Sequence, residues 1–230
     1  MGASFDILRK PWVPVLDAAG QKTELGLLET LERAHELQAI QTASPMEEYS
    51  VYRFLIVFLM DALRPEDGEE DIGGLLEAEQ FDMEAIQDYL TQCRKEGVSF
   101  DLFDAARPFL QTAYVEAWDR EAKPVSTLDY TIPNGNNHIH FDHRRNEISY
   151  TPGKALRMLL TAQNFCTAGA QGYPSNVNGA PPWFALIQGE NLFQTLVLGM
   201  IGTDEILLPF DEPPVLWRNK KEITAKQEVA

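Results

Sequence analysis

The chain has 230 residues, 44% of them apolar, which suits one large or two small globular domains with a real core. Thirty-five acidic residues against 19 basic ones leave a formal charge of −16, and this argues against a nonspecific polyanion binder, because phosphate is held by basic side chains. The two cysteines, Cys93 and Cys166, lie far apart and form no CxxC, which argues against a disulfide framework and for a reducing compartment.

Met1 to Lys10 lacks the apolar region of a signal peptide. The most apolar run, Phe54 to Met60, is too short to span a bilayer and is flanked by Arg53 and Asp61. A soluble, cytoplasmic protein is expected, with no membrane partner.

In chain order, Trp12 to Leu16 reads as a strand, Asp17-Ala18-Ala19-Gly20 as a turn, and Gln21 to Leu25 as an antiparallel return. Leu27, Leu28, Leu31, Ala34 and Leu37 follow helical spacing, which predicts a helix over about 27–40. Ser44-Pro45-Met46-Glu47 has the form of a helix start: a capping Ser, Pro in the first helical position, and Glu three residues after the cap. That helix runs to about Leu63, stops before Pro65, and is apolar on nearly every side, so it belongs at the centre of the core.

Arg64 to Gly74 is acidic and glycine-containing and is expected as an exposed loop. Asp82 and Gly97 bracket a helix over Met83–Lys95 whose buried stripe is Met83, Ile86, Leu90 and Cys93, core filler rather than ligands. Phe100 to Gln111 reads as irregular chain anchored by buried aromatics. A helix is expected from about Gly153 to Asn164, then a small-residue loop over 168–176. Trp183 to Gln188 reads as a strand, and Asn191 as the cap of a helix over 192–200. The whole is an α+β domain with small sheets over residues 1–217, followed by a polar tail over 218–230.

Three of the four histidines fall in Asn134-Gly135-Asn136-Asn137-His138-Ile139-His140-Phe141-Asp142-His143. As text, His138, His140, Asp142 and His143 match HxHxDH, which resembles the metallo-β-lactamase signature. Such ligands suit zinc and a metal-activated water. The surroundings do not fit: no histidine follows His143, and no strand of the required kind precedes the motif. Two further readings are an exposed loop with no special role and a protein-interaction domain acting through the acidic stretch Glu66 to Asp71.

Five phrases taken together point elsewhere. Phe5-Asp6-Ile7-Leu8-Arg9-Lys10-Pro11-Trp12-Val13-Pro14-Val15 has the form F-x-x-L-x-x-x-W-[IV]-P-V, and Phe100 to Gln111 the form F-D-L-F-x-x-x-R-P-F-x-Q. Asn134 to His143 is similar to G-N-N-x-x-x-F, Thr151 to Phe165 to a helix entering a glycine loop, and Gln188 to Leu196 to G-x-x-L-x-x-T-L. In this order, from Phe5 to about Trp217, they resemble the large subunit, CasA, of the type I-E CRISPR surveillance complex Cascade. The resemblance implies a non-catalytic subunit without cofactor or metal. Its partners would be the other Cascade subunits, the crRNA, target double-stranded DNA and the CRISPR nuclease-helicase. Its task would be antiviral defence: reading the PAM of the duplex while guide pairing reads the sequence.

Carried over, the family's first recognition loop falls on residues 136–145. Asn136 and Asn137 would offer amides to base edges, and Phe141 would stack on an unpaired base. Arg144 and Arg145 would neutralise phosphate, with Lys154 and Arg157 completing a local basic patch. The family's glycine loop falls on residues 169–172, where Gly169 and Gly172 would let backbone N–H groups approach a groove floor. His138 and His140 depart from the less polar residues of the family loop. The family's usual C-terminal helical bundle has no counterpart in this sequence.

Overall fold

Trp12 is the nail of the N-terminal region. In the computed structural model, which describes residues 3–111, 124–132, 148–165, 183–205 and 215–218, its side chain is fully buried. Its indole N–H donates to the Ile7 carbonyl at 2.8 Å, its backbone N–H to the Leu25 carbonyl at 2.9 Å, and its ring packs edge-on to Phe54 at 5.6 Å. A buried indole N–H needs such a partner.

From this point β1 (Val13–Asp17) pairs antiparallel with β2 (Lys22–Leu25). The predicted turn is present: Asp17 Oδ1 accepts from the Ala19 and Gln21 N–H groups, and Gly20 takes φ +78°, a conformation natural to glycine.

The helix predicted over 27–40 is corrected by the structure. α1 covers only Leu27–Glu32; the chain turns through Ala34 and re-extends as β3 (Leu37–Ile40) on the free edge of β1, giving the sheet order β2-β1-β3. Leu37 and Ile40 are buried in the extended conformation, and the Ile40 N–H donates to the Tyr52 hydroxyl at 2.9 Å. Pairing with the edge of β1 outweighs the helical spacing over these four residues.

α2 (Pro45–Leu63) has the predicted limits and sits at the centre. Phe54 meets Trp12, Phe58, Phe109 and Trp217 at ring separations of 5.6–6.3 Å. The expected capping box is absent. The Ser44 side chain makes no cap bond, and Glu47 turns inward to other partners; Glu48 instead accepts from the Thr42 N–H. Proline at the start and a left-handed Arg64 (φ 48°) at the end mark the helix.

The expected loop over 64–74 is half helix, since α3 spans Glu70–Ala78. Asp67 Oδ1 accepts from the Glu69 and Glu70 N–H groups, and Glu70 and Asp71 lie at the positive end of the helix dipole. α4 (Met83–Lys95) follows as predicted: Asp82 accepts from the Glu84 and Ala85 N–H groups, and Gly97 leaves at φ +77°. Ile86, Leu90 and Cys93 are fully buried, and Met83 packs on the edge of the core.

α5 (Pro152–Phe165) lies against α2, and α6 (Leu192–Leu198) is capped by Asn191, which accepts from the Gln194 N–H at 2.9 Å. Residues 183–188 do not form the expected strand; Trp183 is 93% exposed, and no described strand pairs with them. Among the described residues no helix is long and apolar enough to cross a membrane. The architecture is the mixed α+β domain anticipated.

Arg218, placed at the head of the tail by its sequence, belongs to the folded body. It is buried and donates to Asp61 at 3.1 Å and Glu96 at 2.8 Å, while Trp217 Nε1 donates to the Tyr89 hydroxyl at 2.8 Å.

Candidate nucleic-acid interface

The residues assigned to DNA contact by resemblance — Asn136, Asn137, Phe141, Arg144, Arg145, Gly169 and Gly172 — lie outside the described residues. So do His138, His140, Asp142 and His143 of the metal-like string, and Cys166. Among the described residues no group of three or more His, Cys, Asp or Glu is placed to hold a metal ion. The structure does define how the two segments are attached.

Both are attached through α5. Residues 133–147 return to the described chain at Ile148 and enter the helix at Pro152; residues 166–182 leave it directly after Phe165. The 14 residues of α5 span about 20 Å at 1.5 Å per residue. The helix faces α2 through Leu156 and Leu160, both buried.

The N-terminal half of α5 carries the charges expected to form a basic patch, and here the structure corrects the expectation. Arg157 is buried. Its Nε donates to Glu47 at 2.7 Å, and one terminal nitrogen donates to Glu24 at 2.9 Å and to the Trp12 carbonyl at 2.7 Å. Lys154 is ion-paired with the other oxygen of Glu47 and lies 5.9 Å from the centre of the Tyr130 ring. Burial pushes Glu47 up, but the bonds from Lys154 and Arg157 outweigh it and hold the carboxyl below its usual range. These two cations are therefore spent on a carboxylate more than 100 residues away. They tie β1, β2, α2 and α5 together rather than meeting phosphate.

At the other end of α5, Phe165 packs edge-on to Tyr49 at 6.1 Å and to Phe184 at 5.1 Å, and Tyr49 stacks on Phe184 at 4.2 Å. Arg53 lies 6.0 Å from the Phe184 ring centre and donates to Asn164 Oδ1 at 3.0 Å. This cluster brings Phe165 and Phe184, which stand on the two sides of the glycine-containing segment, against one face of α2. Sequence reasoning missed it, because Tyr49 carries no local signal of a partner beyond residue 160.

Three of the phrases that carry the family resemblance, over 5–15, 100–111 and 188–196, are held by hydrogen bonds of the described fold. Phe5 to Leu8 runs beside Phe100 to Leu102, with Ile7 N–H donating to the Phe100 carbonyl and Leu102 N–H to the Phe5 carbonyl, each at 3.0 Å. Asp101 accepts from the Phe5 and Phe103 N–H groups and from Ser4; burial pushes this carboxyl up, and those bonds bring it below its usual value. Arg107 donates to the Gly97 and Trp217 carbonyls, and Gln111 to the Leu102 carbonyl. At Gly189, a Cβ would stand 2.3 Å from that of Gln194, and the Gly189 N–H donates to the Thr195 hydroxyl.

The family model described as CRISPR-associated protein Cse1 matches residues 6–230. The CRISPR-associated protein CasA/Cse1 of Thermus thermophilus is 34% identical over 218 residues, covering 92% of this chain and 41% of that protein. Among solved structures, Thermobifida fusca Cse1 matches with a TM-score of 0.77 at 26% identity, over 96% of this chain and 44% of that one. Acidimicrobium ferrooxidans Cse1 gives 0.69 at 25%, over 88% and 39%. A chain from a structure described as a CRISPR RNA-guided surveillance complex shares the fold, with a TM-score of 0.71 at 20% identity over 96% and 47%. The chain thus spans about two fifths of the length of the relatives it matches. With the family match running over residues 6–230 and three of its signature phrases held in the hydrogen bonding of the described fold, the chain belongs to the CRISPR-associated Cse1 (CasA) family.

Proposed function

We propose that this chain is the N-terminal domain of the large, non-catalytic subunit of a type I-E Cascade complex. In that role it binds the other Cascade subunits and the crRNA, contacts the PAM of target double-stranded DNA, and helps bring in the nuclease-helicase. The contact residues are Asn136, Asn137, Phe141, Arg144 and Arg145 in one segment and Gly169 and Gly172 in the other. The family match over residues 6–230 carries this reading.

The attachment of both segments to α5 supports it. Half of a 15-residue segment reaches about 25 Å at roughly 3.3 Å per residue, more than the length of the helix between them. The chain is long enough for both to meet one groove. With Lys154 and Arg157 neutralised by Glu47 and Glu24, Arg144 and Arg145 are the phosphate contacts in this reading.

Asn136→Ala combined with Phe141→Ala, in complex reconstituted with the other subunits and guide, weakens binding to PAM-bearing duplex at least tenfold, as expected when base contacts worth about 1–3 kcal/mol each are lost. Binding to a pre-opened target changes far less. Equal losses on both targets count against a PAM role. Gly169→Asp likewise harms duplex binding. Stoichiometric zinc in purified protein, with hydrolytic turnover that is lost in His140→Ala, would overturn the non-catalytic assignment.

A further inference from the structure

Asp129 and Tyr150 stand at the two ends of the segment assigned to DNA contact, 21 residues apart, and they are bonded to each other: the Tyr150 hydroxyl donates to Asp129 Oδ2 at 2.8 Å. Asp129 is itself 8% exposed and is held from its own side. Its Oδ1 accepts from the Thr131 N–H at 2.9 Å and from the Thr131 hydroxyl at 2.6 Å, its carbonyl accepts from the Ile132 N–H, and its N–H donates to the Ser126 carbonyl. Burial pushes the Asp129 carboxyl up, and the bonds from Thr131 and Tyr150, with the charge of Lys154, more than reverse the shift.

The next residue ties this stem to the body. The Tyr130 hydroxyl donates to Glu47 Oε2 at 3.1 Å, and Glu47 is the carboxylate already held by Lys154 and Arg157 of α5. The chain entering the segment, the chain leaving it, α2 and α5 thus share one hydrogen-bonded base. A buried carboxylate whose acceptor sites are filled from both ends of a 15-residue segment fixes the separation and direction of those ends.

We propose that Asp129 and Tyr150 form a clasp that fixes the described chain on either side of residues 133–147, and so act as positioning residues for duplex recognition without touching DNA. The inference rests on the DNA-contact reading above. Pre-set ends reduce the ordering that binding would otherwise require, so loss of the clasp weakens duplex binding beyond its small cost to the fold.

The test uses the full chain in reconstituted complex, with Tyr150→Phe as the variant, since the ring and its packing stay. Duplex affinity falls by about three- to tenfold, the scale of one hydrogen bond to a charged group; affinity for a pre-opened target stays unchanged, and the melting temperature of the free chain falls by no more than the few degrees that one lost hydrogen bond carries. In a background already carrying Asn136→Ala and Phe141→Ala, Tyr150→Phe causes no further loss, because its effect passes through those side chains.

An additive loss in that background overturns the clasp, as does an unchanged duplex affinity for Tyr150→Phe while the double variant is weakened; both leave the DNA-contact reading standing. If the double variant itself binds PAM duplex like wild type, the DNA-contact reading fails and the positioning role with it. Thr131→Val, which removes one donor to the same carboxylate, reproduces the pattern if Tyr150→Phe fails to fold.

Discussion

Replacing Arg218 with alanine removes a side chain that bridges Asp61 of α2 and Glu96 beyond the end of α4. The guanidinium is 7% exposed and reaches Asp61 at 3.1 Å and Glu96 at 2.8 Å. Its loss leaves the Asp61 carboxylate, 1% exposed, with the Tyr89 hydroxyl at 2.6 Å and a distant, exposed Arg64 at 3.9 Å. Stranding a buried charge in this way costs about 3–5 kcal/mol. For a chain of this size each kcal/mol moves the melting temperature by about 2–4 °C, so a drop on the order of 10 °C is expected. Circular dichroism melts of wild type and Arg218→Ala read it directly. Arg33→Ala, which breaks surface pairs with Glu29 and Glu36, is the control and costs no more than about 1 kcal/mol. Asp61→Asn placed in the Arg218→Ala background restores part of the loss, because it removes the unpaired charge. A melting temperature for Arg218→Ala within about 2 °C of wild type would refute the reasoning.

Acid should unfold the domain through its paired carboxylates. Glu47, Asp101, Asp104 and Asp129 are all held below their ordinary values, so their stabilisation is complete above those values and is lost as the pH falls through the depressed ones. The melting temperature is flat from neutral pH down to about 4.5, the ordinary value for Glu47, and falls below it; Glu47→Gln shallows that fall, and an unchanged slope would exclude Glu47 as a contributor. Gly26→Ala places a Cβ 2.7 Å from the Arg9 carbonyl and should cost about 1–3 kcal/mol in a denaturant titration. Gly73→Ala in α3 meets nothing within 4 Å and should gain about 0.5–1 kcal/mol by the same measurement.

The frame of the molecule is legible wherever a local rule decides. Asp82 and Gly97 bracket α4 because a capping carboxylate and a left-handed glycine act within a few residues. Pro45 and the break before Pro65 set α2 for the same reason, although Glu47 leaves its expected place beside Ser44. What is not legible depends on distant partners. Leu37 to Ile40 becomes a strand because β1 presents an edge, and Trp183 to Gln188 fails to become one because no described edge receives it. Arg157 and Lys154 read as a free basic patch until Glu47, some 110 residues earlier, is found between them. For the candidate site, the stems at Asp129, Tyr150 and Phe165 are described, while the contact residues rest on resemblance alone. The stem bond has one sequence signal, an Asp-Tyr-Thr run ahead of an Asn-Gly dipeptide and a second tyrosine after it, too common a pattern to single out.

Arg157 also bears on how the domain is made. Its partners, the Trp12 carbonyl, Glu24 and Glu47, lie 145, 133 and 110 residues upstream. During synthesis at about 5–20 residues per second, the Glu47 carboxylate emerges on the order of 5–20 s before either of its cations. Until then the early sheet and α2 cannot close over that carboxylate without leaving it uncompensated. The N-terminal third is therefore expected to keep Glu47 in water until α5 arrives.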